Sequence, residues 1–315
     1  MKLNKNDKIL IFGSNGMVGS AIIRKLELDG YTNIKGIHRK ICDLTRQSDV
    51  EALMHEEKAD YVFVASAKVG GIHANSTYPA EFHYENLMIQ SNIIHSAYLS
   101  KVKKLLFLGS TCIYPKMAPQ PLKEESLLTS PLEPTNEAYA LAKISGLKMC
   151  DYYYQQYGCQ FVSAMPTNLY GYGDNFHPEN SHVIPGLMLR FHEAKQSNAE
   201  SVYCWGTGSP LREFLFIDDL ADALVFTMEN FEGPGFVNAG TAEEVSIKEL
   251  SELIAEVVGY KGQLDWDHSK PDGTPRKITD MSKLHDMGWK HQTGLREGLE
   301  KTYAWFLENE ETLRR

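Results

Sequence analysis

What the chain has little of narrows the field first. Cysteine is sparse: five residues (Cys42, Cys112, Cys150, Cys159, Cys204), an odd number with no Cys-x-x-Cys pair. That usage supports neither a disulfide framework nor a zinc site, and no metal is expected. No apolar run approaches the ~20 residues of a membrane span. The N-terminal segment Met1 to Asp7 has basic residues but leads into a short apolar run that ends at Gly13, not the apolar core of a signal peptide. The expected setting is therefore the cytoplasm, with no membrane partner. Positive charge is also short, with Lys+Arg 32 against Asp+Glu 41 and a net charge of -9, which argues against a nucleic-acid partner. No internal repeat or low-complexity tract stands out. What remains is 315 residues, 43% hydrophobic and 23% charged, room for one large α/β domain and a smaller lobe.

The first half alternates short apolar runs with amphipathic stretches. Ile9 to Phe12, Ile34 to His38, Tyr61 to Ala65, Leu105 to Leu108 and Phe161 to Met165 read as buried strands. Val18, Ile22 and Leu26 repeat every four residues as a helix stripe. Such alternation predicts a doubly wound parallel sheet of Rossmann type. After Asn168 the texture changes. Gly171 to Ser181 is a loop by composition, Val183 to Lys195 an amphipathic helix, and Ser246 to Val258 a helix capped by Ser246. Arg212 to Asp219 and Gly235 to Ala239 read as strands returning to the sheet. The expected division is a dinucleotide-binding domain over 1–170, with returning segments near 212–240, and a substrate-binding lobe from 171–211 and 241–315.

Where the first strand turns into a helix the chain reads Gly13-Ser14-Asn15-Gly16-Met17-Val18-Gly19. Residues without side chains suit a tight turn and close approach to a pyrophosphate, and the helix N-terminus adds unpaired amides and a positive dipole end. A plain glycine turn is the simpler alternative. At the end of the second strand an acidic residue would hold the ribose 2′-hydroxyl of NAD. Here the strand ends in His38-Arg39, and an arginine can bind a 2′-phosphate instead, which favours NADP (as NADPH) unless Arg39 is only a solvated surface residue. Asp43 is placed to accept from an adenine amino group.

Tyr139 and Lys143 stand four apart on an expected helix and share a face. A neighbouring ammonium is expected to lower the phenol from its usual pKa near 10, so that it can exchange a proton with a substrate oxygen. Ser110 follows the strand Leu105 to Leu108 and can bond the same oxygen. Cys112 lies two residues further on, and His182 precedes the helix at Val183. They could act as acid and base beside a ketone. From spacing alone a buried thiol and a helix-capping histidine are the simpler readings.

Gly13-x-x-Gly16-x-x-Gly19, Ser110 and Tyr139-x-x-x-Lys143 resemble the extended short-chain dehydrogenase/reductase family. Ala67-Lys-Val-Gly-Gly-Ile72, Gly109-Ser-Thr-Cys-Ile-Tyr-Pro115, Glu133-Pro-Thr-Asn-Glu137, Met165-Pro-Thr-Asn-Leu-Tyr-Gly171, Asn180-Ser-His-Val-Ile-Pro185 and Lys270-Pro-Asp-Gly-Thr-Pro-Arg-Lys277 are similar to its GDP-L-fucose-forming branch. The resemblance implies epimerisation of GDP-4-keto-6-deoxy-D-mannose at C3 and C5, then reduction of the C4 ketone with NADPH. It implies that Cys112 and His182 handle the C3 and C5 protons. Tyr139 would then protonate the C4 oxygen, helped by Ser110 and Lys143. It further implies cofactor contacts from Leu44, Ala65, Ala67, Lys143, Pro166, Asn168 and Leu169. For the GDP-sugar it implies Asn168, His182, Arg190, Trp205, Arg212, Asp272 and Lys277, with Arg212 and Lys277 on the diphosphate and Trp205 offering an apolar face. Asn15 departs from the pattern, standing where some members carry an arginine, which leaves Arg39 as the cation for the 2′-phosphate. A homodimer is implied, through helices from Glu81 to Ser100 and Glu137 to Tyr157, with Tyr152, Tyr153 and Tyr154 suited to the interface. The competing readings are an enzyme acting on a related GDP-4-keto sugar (a colitose or heptose precursor) and a nucleotide sensor without catalysis.

Overall fold

Strands apolar on both faces need cover on both sides, and that requirement organises the fold. The computed structural model describes residues 2–178, 181–270 and 272–313, so Asn180 and Pro271 of the motifs above lie outside the described residues. The first half contains β1 (Ile9–Phe12), α1 (Met17–Leu28), β2 (Ile34–Ile37), α2 (Gln47–Glu57) and β3 (Tyr61–Val64). It continues with α3 (Ile72–Thr77), α4 (Pro79–Leu99), β4 (Lys104–Leu108), α5 (Glu137–Tyr157) and β5 (Gln160–Pro166). Then come β6 (Asn168–Tyr170), α6 (Val183–Gln196), β7 (Ser201–Trp205), β8 (Leu211–Arg212), β9 (Phe214–Phe216), α7 (Ile217–Asn230) and β10 (Phe236–Ala239). The last part holds β11 (Val245–Ser246), α8 (Ile247–Val258), β12 (Gln263–Asp267), β13 (Arg276–Lys277), α9 (Ser282–Asp286) and α10 (Leu295–Glu308).

Six strands form one parallel sheet in the order β10-β5-β4-β3-β1-β2. Alternate residues face opposite ways. Ile9, Ile11, Phe63, Leu106 and Val162 pack on one side with Ile22 and Leu26 of α1 and Leu220 and Leu224 of α7. Leu10, Phe12, Val64, Leu105 and Phe107 pack on the other with Met54 of α2, Ile93 of α4 and Cys150 of α5. Phe107 is fully buried, and cutting such a ring to alanine costs about 3–5 kcal/mol. Phe12 pairs with both Ile37 and Val64, and Leu108 with Ala164. Gly13, Ala65, Gly109 and Thr167 therefore leave the sheet along one edge.

The segment Arg212 to Asp219 does not return to this sheet. β9 pairs in parallel with β6 as a separate ribbon, β8 lies between β11 and β13, and Ile217 already begins α7. Only β10, within the expected Gly235 to Ala239, joins the sheet beside β5. An apolar run selects a strand but not its partner, and short strands distant in sequence capture this one. In the second lobe β12 runs parallel to β7. α8 is closed by a capping box in which Ser246 accepts from the Glu249 amide and Glu249 reaches back, worth about 1 kcal/mol.

Candidate active site

The loop after β1 is built by exclusion. At Gly13, which has φ +90°, a Cβ would sit 2.8 Å from the backbone of Ala65, and a Cβ at Gly19 would overlap the Gly13 carbonyl. The Gly13 and Ser14 amides donate to the Ile37 carbonyl, at 2.8 and 3.2 Å. No side chain caps α1, so its first amides, from Met17, Val18 and Gly19, have no intrahelical acceptor. Ser14 is buried, and a Cβ at Gly36 would come within 2.6 Å of it. Gly36 was not singled out from sequence. A glycine inside a strand is the signal that a backbone or ligand comes close.

Beyond β2 no acidic side chain follows directly. Arg39 and Lys40 are exposed and, with Asp43, line a hollow of about 330 Å³. Thr45 donates its hydroxyl and amide to Asp43 Oδ1 at 2.7 and 3.0 Å, and Arg46 lies 3.4 Å from Oδ2. These contacts, the Thr45 hydroxyl foremost, hold the Asp43 carboxyl below its usual value. Leu44 is buried, with its carbonyl bonded by Asn92 Nδ2 at 3.0 Å. Ala65 and Ala67 follow β3, Pro166 ends β5, and Asn168 and Leu169 open β6. Uncapped amides, a cradle that a Cβ would fill, and cations at its far end fit a dinucleotide carrying an extra phosphate.

Ser110 follows β4, and its Oγ accepts from the Cys112 amide at 3.3 Å. It also shares a hydrogen bond with Tyr139. Tyr139 and Lys143 are buried on one face of α5, with Lys143 Nζ 5.8 Å from the Tyr139 ring centre and 2.8 Å from the Leu108 carbonyl that it bonds. Their electrostatics reverse the sequence expectation. Burial pushes the phenol above its ordinary range, the Cys112 charge adds to this, and Ser110 opposes it. Burial also lowers Lys143 to about 7. A lysine that titrates near neutrality carries only part of its charge there, and stabilises a phenolate less than a full ammonium would.

Cys112 lies on a short turn, Thr111–Ile113, and Lys277 Nζ stands 3.9 Å from its sulfur. Lys277 is in register with Arg212 across β13 and β8, so two cations sit side by side. Arg212 is held near the Leu211 carbonyl at 2.8 Å, and burial lowers its guanidinium despite the nearby Asp272. Asp272 itself accepts from the Thr207 amide and hydroxyl at 2.7 and 2.9 Å, fixing the turn after β7. Trp205 is 58% exposed, with Arg190 and Lys270 at 5.6 and 5.5 Å from its ring. Arg190 also bonds the Tyr203 carbonyl at 2.8 Å. His182 is exposed at the start of α6 and does not cap it, and the protein around the ring lowers its imidazole by desolvation.

One residue that sequence reasoning passed over organises this group. Glu213 is fully buried between β8 and β9. Its carboxylate accepts from the amides of Thr241, Ala242 and Thr279 at 2.6, 2.8 and 2.8 Å, and from the Thr279 hydroxyl. Its carbonyl accepts from Asn168 Nδ2 at 2.8 Å. The signal in the sequence was an acid immediately before the apolar run Phe214-Leu-Phe-Ile217. Among the described residues no three His, Cys, Asp or Glu side chains gather as metal ligands, and no helix is long and apolar enough to cross a membrane.

Comparison with known proteins places this arrangement. The NAD dependent epimerase/dehydratase family matches residues 9–240. GDP-L-fucose synthase 1 of Arabidopsis thaliana is 60% identical over 306 residues, covering 97% of this chain and 95% of that protein. GDP-L-fucose synthase of Escherichia coli is 52% identical over 316 aligned positions, covering 98% of each. A crystal structure of a GDP-L-fucose synthetase from Naegleria fowleri bound to NADP is 30% identical and superposes with a TM-score of 0.92, over 100% of this chain and 98% of that one. The chain belongs to the NAD dependent epimerase/dehydratase family, and its sequence groups it there with the GDP-L-fucose synthases.

Proposed function

We propose that this chain converts GDP-4-keto-6-deoxy-D-mannose to GDP-L-fucose, epimerising C3 and C5 and reducing the C4 ketone with NADPH. The observation that carries the reading is the pairing of two proton-handling sets at one sheet edge: Ser110 with Tyr139 and Lys143, and Cys112 with Lys277. Bound NADPH supplies the hydride for C4. Residues 13–19 hold its pyrophosphate, and Arg39 its 2′-phosphate.

The chain's own residues do the rest. The 4-ketone acidifies the hydrogens on C3 and C5. Cys112 and His182 remove and return protons there, with Lys277 Nζ 3.9 Å from the Cys112 sulfur. Ser110 and Tyr139 hold the C4 oxygen while it carries enolate charge. Tyr139 then delivers a proton to that oxygen. Lys143, titrating near neutrality, exchanges protons at working pH. Arg212 and Lys277 attract the diphosphate, and Trp205, Arg190 and Asp272 frame the nucleotide end. The substrate-binding lobe is 171–211 with 241–315, set on the dinucleotide-binding domain.

We also place the protein in the cytoplasm as a homodimer joined through α4 and α5. Tyr84, Leu99, Leu141, Tyr152 and Tyr157 expose apolar surface on those helices. Tyr153 turns inward, bonding His95 at 2.6 Å, and so contributes packing rather than contact surface.

The test is incubation with GDP-4-keto-6-deoxy-D-mannose and NADPH or NADH, with the sugar product identified by NMR. GDP-L-fucose, formed faster with NADPH, is expected. Absence of turnover refutes the reading, and a reduced sugar with C3 and C5 unchanged would make the chain a reductase only.

A further inference from the structure

The helix that carries Tyr139 and Lys143 is gripped from outside by two side chains that the scheme above does not use. His83 Nδ1 on α4 bonds the Ala138 carbonyl at 2.9 Å, and Gln90 Nε2, also on α4, donates to the Ala142 carbonyl. A carbonyl can only accept, so His83 carries its proton on Nδ1 in this contact. Ala138 and Ala142 immediately precede Tyr139 and Lys143. One contact between two helices leaves a pivot. Two contacts, two turns apart on α4 and one turn apart on α5, fix both the depth and the rotation of α5.

The surrounding packing agrees. Phe82, beside His83, meets the Tyr139 ring edge-on at 6.5 Å. Gly146 lets α4 approach, since a Cβ there would stand 2.8 Å from the Gln90 Cδ and 2.6 Å from the Phe107 ring. Gln90 is buried, and its Oε1 has no hydrogen-bond partner among the described residues. An orphaned buried oxygen is unfavourable, so a residue serving packing alone would be better as leucine or methionine. What the amide adds is its donor to Ala142.

We infer that His83 and Gln90 are positioning residues for the reductive half of the reaction, setting where the phenol of Tyr139 and the amine of Lys143 stand at the sheet edge. The inference rests on the proposed roles of that pair. Cys112 and His182 sit on the 111–113 turn and at the start of α6, which neither clamp touches. Loosening the clamp should therefore separate reduction from epimerisation.

The experiment uses full-length His83→Phe, Gln90→Met and the double variant, with His83→Asn as the conservative control because its amide nitrogen takes the place of Nδ1. NADPH consumption gives kcat and KM for reduction. Exchange of the C3 and C5 hydrogens with D₂O, without NADPH, reports epimerisation. A misplacement of about 1 Å can cost on the order of 10²-fold, and a loss of that order in kcat is expected for the double variant. KM should stay at the wild-type level, exchange should fall far less than reduction because Ser110 still holds the C4 oxygen, and His83→Asn should restore most of what His83→Phe loses. Equal losses in reduction and exchange would overturn the inference in favour of a merely structural role, as would unchanged reduction in the double variant. A wild type that neither reduces nor exchanges would overturn the functional reading, and this inference with it.

Discussion

Replacing Lys143 by methionine should make the protein more stable while ending reduction. Lys143 is 3% exposed, and burial brings it from its ordinary 10.5 to about 7. At 1.36 kcal/mol per pKa unit, that gap corresponds to a penalty on the order of 5 kcal/mol for the charged form. The unfolded chain holds this proton below 10.5, the folded chain only below about 7. Between those values the unfolded state binds more protons, so stability rises with pH across the window. The penalty is nearly complete at pH 7 and fades toward pH 10. Methionine carries none of it and forfeits only the bond to the Leu108 carbonyl, worth about 1 kcal/mol. Relaxation around the ammonium reduces the net gain to about 2–4 kcal/mol at pH 7, which at roughly 2–4 °C per kcal/mol is a rise in Tm of several degrees. The assay is thermal unfolding of cofactor-free wild type and Lys143→Met from pH 7 to pH 10, beside an NADPH-consumption measurement. The difference in Tm should shrink as pH rises. A variant that melts below wild type at pH 7, or a difference independent of pH, would refute the reasoning.

Three further outcomes are expected. Arg39→Ala should erase most of the preference for NADPH over NADH and leave NADH use nearly unchanged, since a charge-assisted phosphate contact is worth ~1.5–3 kcal/mol, or roughly tenfold to a hundredfold; equal kcat/KM for both cofactors in the wild type would remove the basis for this. Tyr139→Phe should stop NADPH oxidation yet still allow D₂O exchange at C3 and C5, and reduction at the normal rate would show the tyrosine to be misassigned. Cys112→Ser should keep the fold while exchange falls on the order of 10²-fold, and reduction of the unepimerised ketone would give a GDP-6-deoxy sugar of altered configuration; wild-type exchange with lowered Tm would mark a structural thiol instead.

The central sheet was legible because β1 and β3 are apolar throughout and run into Gly13 and Ala65, and the apolar run Leu105 to Leu108 of β4 is followed by Gly109. α5 was read with both ends correct, as was the Ser246 cap, since its oxygen and Glu249 declare the helix start locally. Partner choice was not legible. Phe214-Leu-Phe216 has the composition of a sheet strand, but its partner is the short Asn168–Tyr170, and no local feature of either announces the other. The electrostatics of Tyr139 and Lys143 were misread for a related reason. Spacing puts Lys143 beside Tyr139 but says nothing of depth, and depth turns an expected ammonium into a base near neutrality. Contacts between distant segments, such as Lys277 against Cys112 and Glu213 against Thr279, are absent from any sequence window.

Glu213 bears on how this protein can be cut and recombined. Its single carboxylate, with no cation paired to it among the described residues, gathers amides from the loop after β10 and from the segment after β13, while its carbonyl holds Asn168. Stretches more than a hundred positions apart, around Asn168 and Thr279, are thus tied at one point inside the molecule. A chain divided near residue 240 would leave that carboxylate without its donors, and the carboxyl-terminal piece without its anchor. Chimeras with relatives should tolerate a junction that keeps 213 together with 241 and 279 more readily than one that separates them. Variation of this scaffold is therefore better placed in changes around the knot than in exchange of the carboxyl-terminal segment, which is not a transferable part.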